Sequence, residues 1–427
     1  MGIRTVLFLL IFLGCCVAPA SALLLNYTVD STMPVGIKGT YAFQGGQGHA
    51  MIKNSSGTIY VTYMTQESGT YINKLAWSSD GGITWTNATT IAVNGVTSYA
   101  SLYMPDIAID SSDTIHMVYT TDIGFLEYVN YSLSGGFGDI FVLNDTTTTS
   151  HNRPSISIDS QNVAHVLFIS NEGLLYTNIS PLTGIGPPHF ITSNHGIPIA
   201  EVDANDIVHI VYNADDGAGQ YQFRYLNFSS SGWGNILNMS DSVVPSSRVL
   251  DVTIDTNKIH ILYVDSSANT RVVNTSASTN FKASNPVTIQ TGSFTGATMA
   301  EDSEGTLHFI SMFGTQMRYY NFTSSGVSSM KTLSPSGSGR SGPRMLWSIN
   351  PPGNIPSAGF EMIYSQTGIS VNYSVLSPDP GVPVPSEISV WLDSNRATSF
   401  LAGTMEMGMI VFVLGATVAV VIAYLRR

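Results

Sequence analysis

The sequence predicts an all-β fold: a seven-bladed β-propeller of four-stranded antiparallel blades, plus one C-terminal transmembrane helix. Three observations lead there. An Asp–His pattern recurs along the chain, anchored at Tyr60, His116, His165, His209, His260, His308 and Tyr364 at spacings of 44–56 residues. Around each anchor, Val, Ile, Tyr and Phe alternate with polar residues and are broken by short Asn/Asp/Ser/Gly turns, which is strand chemistry. Uninterrupted apolar runs are confined to the two ends of the chain.

A repeat of this length marks an array, a solenoid or a propeller. Four short strands per unit favour the propeller, because ring closure leaves few strand edges exposed. The 427 residues carry 11% charged side chains and a formal net charge of −12. That balance excludes wholesale binding to nucleic-acid phosphate, which selects for basic surfaces. It also excludes a disordered, charge-rich chain.

The ends suggest the address. Residues 1–22 read as a signal peptide: Arg4 begins it, an apolar stretch from Val6 to Val17 follows, and Ala20-Ser21-Ala22 is a small-x-small cleavage site. Cys15 and Cys16 are the only cysteines, so cleavage after Ala22 removes disulfides as a means of support. Residues 23–376 form the propeller ectodomain. Residues 377–399 carry Pro378, Pro380, Pro383 and Pro385 and read as a stiff stalk. Residues 400–425 are assigned to the transmembrane helix, whose uncharged run from Met407 to Leu425 would cover roughly 28 Å at 1.5 Å per residue. Arg426 and Arg427 then form a cytoplasmic tail under the positive-inside rule. The expected location is the cell membrane, single-pass, with the N-terminal ectodomain outside.

The recurring histidines raise the question of a metal. Each lies on a strand between apolar residues, once per unit, which spreads the copies around a ring, whereas a zinc site gathers three or four ligands on one ion. The residues are therefore read as structural: the His bonds a neighbouring turn, and the preceding Asp caps that turn. Asp215-Asp216 lacks the spaced ladder of a calcium loop. No metal and no cofactor is assigned.

Ser78-Ser79-Asp80-Gly81-Gly82-Ile83-Thr84-Trp85 fits the Asp-box pattern S-x-D-x-G-x-T-W. With degenerate copies at Ser132 to Phe137, Ser229 to Trp233 and Thr323 to Gly326, the chain from Lys38 to Leu376 resembles the sialidase-like propellers with bacterial-neuraminidase (BNR) repeats. The resemblance implies that Ser78, Asp80, Gly82 and Trp85 build a structural hairpin between third and fourth strands, remote from any active site. Sialidases also carry three arginines for the substrate carboxylate, a Tyr–Glu pair and an Asp. Val35 to Lys53 holds no arginine where the first is due, and no catalytic residues are matched.

Arg153, Arg248 and Arg344 stand at similar distances before their repeat anchors, which places them at the starts of innermost strands. Three guanidiniums converging there would grip a carboxylate or sulfate through paired N–H donors. Eleven N-x-S/T sequons occur, and six of them, at Asn130, Asn178, Asn227, Asn274, Asn321 and Asn372, share the end of the third strand in the expected phasing. They are the expected glycosylation sites. The functional expectation is a membrane-anchored surface glycoprotein for binding, adhesion or envelope architecture. Its partners would be the membrane, through the C-terminal helix, and an anionic carbohydrate or surface protein. The alternative is a sialidase-like glycoside hydrolase.

Overall fold

Strand two of each unit shows why these residues make sheets. Ala164-His165-Val166-Leu167-Phe168-Ile169 has no Gly or Pro to break a ladder, and all six residues are buried. Ile115–Thr120 is likewise buried along its length. A strand buried on both faces must lie between two other layers, and here those layers are neighbouring sheets. The computed structural model describes residues 24–376 apart from loop stretches, the longest being 37–48, 92–104 and 349–358.

Within that span the molecule is an all-β propeller. Six blades are contiguous in sequence: residues 34–90, 106–144, 155–192, 198–245, 248–290 and 296–332, called blades 1 to 6. In each, successive strands pair as antiparallel neighbours from first to fourth. The outermost strand is often broken in two. In blade 2, Gly136–Phe137 and Phe141–Asn144 both pair with the third strand.

The remaining sheet draws on both ends of the described chain. Arg340–Ser348, Gly359–Gln366 and Ser370–Leu376 are its first three strands, and Leu24–Asp30 supplies the fourth. Leu24 lies opposite Leu376. The expectation of seven contiguous four-stranded units is corrected accordingly. Six blades are contiguous, not seven, and the last sheet is a composite in which Leu24–Asp30 replaces a local fourth strand.

First strands surround a common hub. Those of blades 2 to 6 touch in sequence order, that of blade 6 touches Arg340–Ser348, and Met51–Lys53 of blade 1 touches both Arg340–Ser348 and the first strand of blade 2. Apolar clusters sit between blades rather than within them. Val118, Leu126 and Tyr128 of blade 2 pack with Ile156, Val166 and Phe168 of blade 3. Leu250 and Leu262 of blade 5 pack with Met299, Leu307 and Phe309 of blade 6. A single blade therefore buries its faces only when its neighbours are in place.

The signal peptide, the stalk and the run Met407–Leu425 lie outside the described residues. Among the described residues no helix is long and apolar enough to cross a membrane.

Candidate functional site

The repeated Asp and His form one device. In blades 2, 3, 4 and 6 one oxygen of the Asp accepts two amides of the turn that joins the first two strands. Asp159 Oδ1, for example, takes Gln161 N at 3.0 Å and Val163 N at 2.8 Å. The other oxygen faces the histidine: Asp110–His116 3.3 Å, Asp159–His165 3.2 Å, Asp203–His209 3.3 Å and Asp302–His308 2.9 Å. On its far side each ring meets a third-strand tyrosine hydroxyl, Tyr128, Tyr176, Tyr225 or Tyr319, at 2.6–2.8 Å.

A carboxylate only accepts, so Nε2 carries the proton and Nδ1 receives the tyrosine hydroxyl. Burial lowers the pKa of all four rings, outweighing the nearby carboxylate. Blade 5 departs from the pattern. Val272 stands where the tyrosine would be, and Asn274 Oδ1 bonds His260 Nδ1 at 2.8 Å.

The same turns tie blades together. Asp113, Asn162 and Asp206 adopt positive φ of 63°, 61° and 59°, a conformation Asn and Asp tolerate best after glycine. Each accepts bonds from a serine of the preceding blade: Ser55 to Asp113, Ser111 to Asn162 and Ser160 to Asp206.

At the hub, first strands are sealed by another repeat of bonds. Asp106 accepts Ile156 N at 2.9 Å, Ser155 accepts Ala200 N at 3.0 Å, and Asp251 accepts Met299 N at 2.9 Å. These two acids therefore serve the scaffold. Among the described residues one ion pair crosses the hub: His49 of blade 1 meets Glu201 of blade 4 at 3.2 Å, although these blades are not neighbours. Burial disfavours the imidazolium, but Glu201, aided by Asp106 and Asp251, overcomes this and pushes the His49 pKa up to about 9. The ring stays 36% exposed. The imidazolium at the hub is thus balanced by Glu201 and faces two further carboxylates, Asp106 and Asp251.

The arginines are placed as follows. Arg153 lies outside the described residues. Arg248 begins the first strand of blade 5, opposite Val264, and Arg344 lies within the first strand of the composite sheet, opposite Ile363. Counted from the turn joining the first two strands, these are adjacent rungs rather than equivalent ones. Both side chains lie outside the described residues.

The Asp-box segment forms a self-bonded loop between the third and fourth strands of blade 1. Ser78 Oγ donates to Asp80 at 2.8 Å and accepts Gly82 N at 2.7 Å, Asp80 accepts Thr84 N at 2.9 Å, and Trp85 Nε1 donates to the Gly82 carbonyl at 2.9 Å. Burial pushes the Asp80 carboxyl up, but the bonds from Thr84 and Ser78 together outweigh it and hold the group below its usual range.

Five sequon asparagines do share a rung. Asn130, Asn178, Asn227, Asn274 and Asn321 lie opposite the five second-strand histidines. Asn372 is corrected: it lies opposite Tyr364, whereas the rung of the histidines is occupied by Phe360 opposite Leu376. Missing from the sequence reading was why these asparagines recur. Asn130, Asn178 and Asn227 press their Oδ1 onto Gly138, Gly186 and Gly234, leaving no room for a Cβ there. The same glycines donate N–H to the asparagine carbonyls at 2.8–3.0 Å. His49–Glu201 was also missed. Neither residue belongs to the repeated pattern, and only ring closure brings them together.

No family model and no curated protein matches this chain. Solved structures do. An ulvan lyase described as founding a polysaccharide lyase family, bound to a GlcA(1-4)Rha3S unit, is 12% identical with a TM-score of 0.58, over 83% of this chain and 96% of that one. Virginiamycin B lyase from Staphylococcus aureus is 9% identical with a TM-score of 0.53, over 84% and 100%. The polysaccharide lyase Uly1 is 10% identical with a TM-score of 0.51, over 84% and 100%. At such identities the likeness concerns fold and leaves chemistry to the residues of the site. This chain is an all-β propeller similar in fold to these lyases.

Proposed function

We propose that the chain is a cell-surface propeller that recognises an anionic glycan at the end of the hub where the first strands begin. The observation that carries this reading is the partly exposed His49–Glu201 pair, which sets polar groups at the hub where the hydroxyls of a sugar would find partners. A carboxylate or sulfate of that glycan would be held by Arg153, Arg248 and Arg344, since Glu201, Asp106 and Asp251 already balance the His49 charge. The propeller fold shared with enzymes named for polysaccharides supports a glycan as the ligand class.

In this reading the seven sheets act as seven sectors of one wheel. Cleavage after Ala22 and the apolar run Met407–Leu425 hold it on the outer face of the cell membrane, and its sequon asparagines carry glycans. The Asp-box loop is scaffold, as in the BNR propellers it resembles.

A second reading, a glycan-active enzyme, is favoured by those same neighbours. It requires proton transfer at the ligand, and His49 is the described hub residue suited to donate one. A glycan array probed with the full chain in detergent tests both. We expect binding to sulfated or uronate-containing glycans, reduced at least about tenfold by Arg248→Ala with Arg344→Ala, the loss of roughly one charge-assisted contact or more. Unchanged binding in the double variant contradicts the clamp. Release of shortened or unsaturated sugar during incubation supports the enzyme instead.

A further inference from the structure

Among the described residues, the loops joining third and fourth strands in blades 1, 2, 3, 4 and 6 lie at one end of the propeller, and their chemistry is uneven. In blades 1, 2 and 3 they present Ile83, Leu133 and Leu182, which are 52%, 51% and 94% exposed. The corresponding tips of blades 4 and 6 present Ser230-Ser231 and Ser324-Ser325, all exposed. Nothing in the fold calls for an apolar side chain at a tip, since the serine tips close the same turn. Leu182 is almost fully exposed and the exposed halves of Ile83 and Leu133 carry an unfavourable hydration cost.

Among the described residues this row of tips is interrupted at the composite sheet. In the composite sheet the third strand ends at Leu376 and the fourth begins at Leu24, directly opposite. Both ends of the described chain therefore lie where that sheet's tip would be. The stalk and the apolar run follow Leu376, with 30 residues between Leu376 and Met407. The composite sheet adjoins blade 1, which adjoins blade 2 and then blade 3. The three apolar tips thus occupy the stretch of the row beginning beside that sheet.

We propose that the tip edge of blades 1 to 3 docks on a lipid bilayer, Ile83, Leu133 and Leu182 entering the interface between headgroups and acyl chains. This rests on the membrane-anchoring reading above and extends it to the orientation of the wheel. The tips carry no Lys or Arg, and the nearby charges, Asp80 and Asp139, are acidic, so the surface suits a zwitterionic lipid rather than an anionic one. First strands start at the opposite end of each blade from these tips, so docking would turn the proposed glycan site away from the membrane.

The test uses the full chain, with Cys15→Ser and Cys16→Ser, in phosphatidylcholine vesicles containing spin-labelled lipid. An environment-sensitive dye is placed in turn on Ile83→Cys, Leu133→Cys, Leu182→Cys, Ser230→Cys and Ser324→Cys. We expect lipid quenching several-fold deeper at the first three positions than at the two serine tips. Equal quenching at all five overturns the docking, and so does a dye shift at the apolar tips without quenching by lipid, which signals a protein partner. Alkaline carbonate extraction reports the anchor separately. A chain that resists extraction with unquenched tips is anchored but not docked, whereas an extracted chain whose tips had been quenched docks without the anchor.

Discussion

Asn178 and Gly186 show how far a single residue type is dictated by its neighbour. A Cβ at Gly186 would stand 2.1 Å from Asn178 Oδ1, a distance no packed pair sustains. The asparagine is short and lies opposite His165, leaving it little room to yield. We predict that Gly186→Ala destabilises the fold by about 1–3 kcal/mol, the usual cost of overpacking. Adding Asn178→Ala should recover part of that loss. Urea denaturation of the two single variants and the double variant checks the coupling, and strict additivity would refute it. The sequon at this rung was legible as a sequence motif, but its recurrence has a packing cause invisible there, because Asn178 and Gly186 meet only once the hairpin forms. The arginines show the opposite limit. Their distances from repeat anchors suggested equivalence, yet Arg344 was counted from Asn350, inside a connection whose length differs from that of the other units. Strand pairing puts Arg344 one rung away from Arg248.

At the scale of the element, the second strand and its Asp-capped turn act together, and their titration fixes how the fold responds to acid. His116, His165, His209 and His308 have folded pKa values below that of an exposed histidine, chiefly through burial. The folded state then binds fewer protons than the unfolded one. Their contribution is complete above about pH 6.5 and is lost as pH falls below it. His49 has the opposite sign: its stabilisation is present below about pH 6.5 and is lost as pH rises through about 9. We predict that unfolding free energy, measured in urea, falls as pH drops from about 6.5 to 5, with a slope steeper than about 1.4 kcal/mol per pH unit, the value for one proton. A flat profile across that range would contradict the buried triads. This element was the most legible part of the chain, because Asp, turn and His are local and recur five times in phase. The tyrosine that completes each triad was not read, since its place on the third strand follows only from cross-strand register.

For the whole molecule, closure is the feature that local sequence conceals. Leu24–Asp30 belongs to no repeat, yet it forms the fourth strand beside Ser370–Leu376. Two causes hid it. The partners are separated by nearly the whole chain, and the last unit has Phe360 where a histidine would have marked the phase. The propeller class was readable from periodicity, whereas the composite sheet and the ion pair from His49 to Glu201 exist only in the closed ring. The most direct test is a cross-link between Leu25→Cys and Val375→Cys, which lie opposite one another in that sheet. Mild oxidation of this double variant, with Cys15→Ser and Cys16→Ser, should give a disulfide within one chain, a compact band on a non-reducing gel and a raised thermal midpoint. Failure to form that bond in folded protein, or formation only between chains, would mean that the two ends do not complete a common sheet.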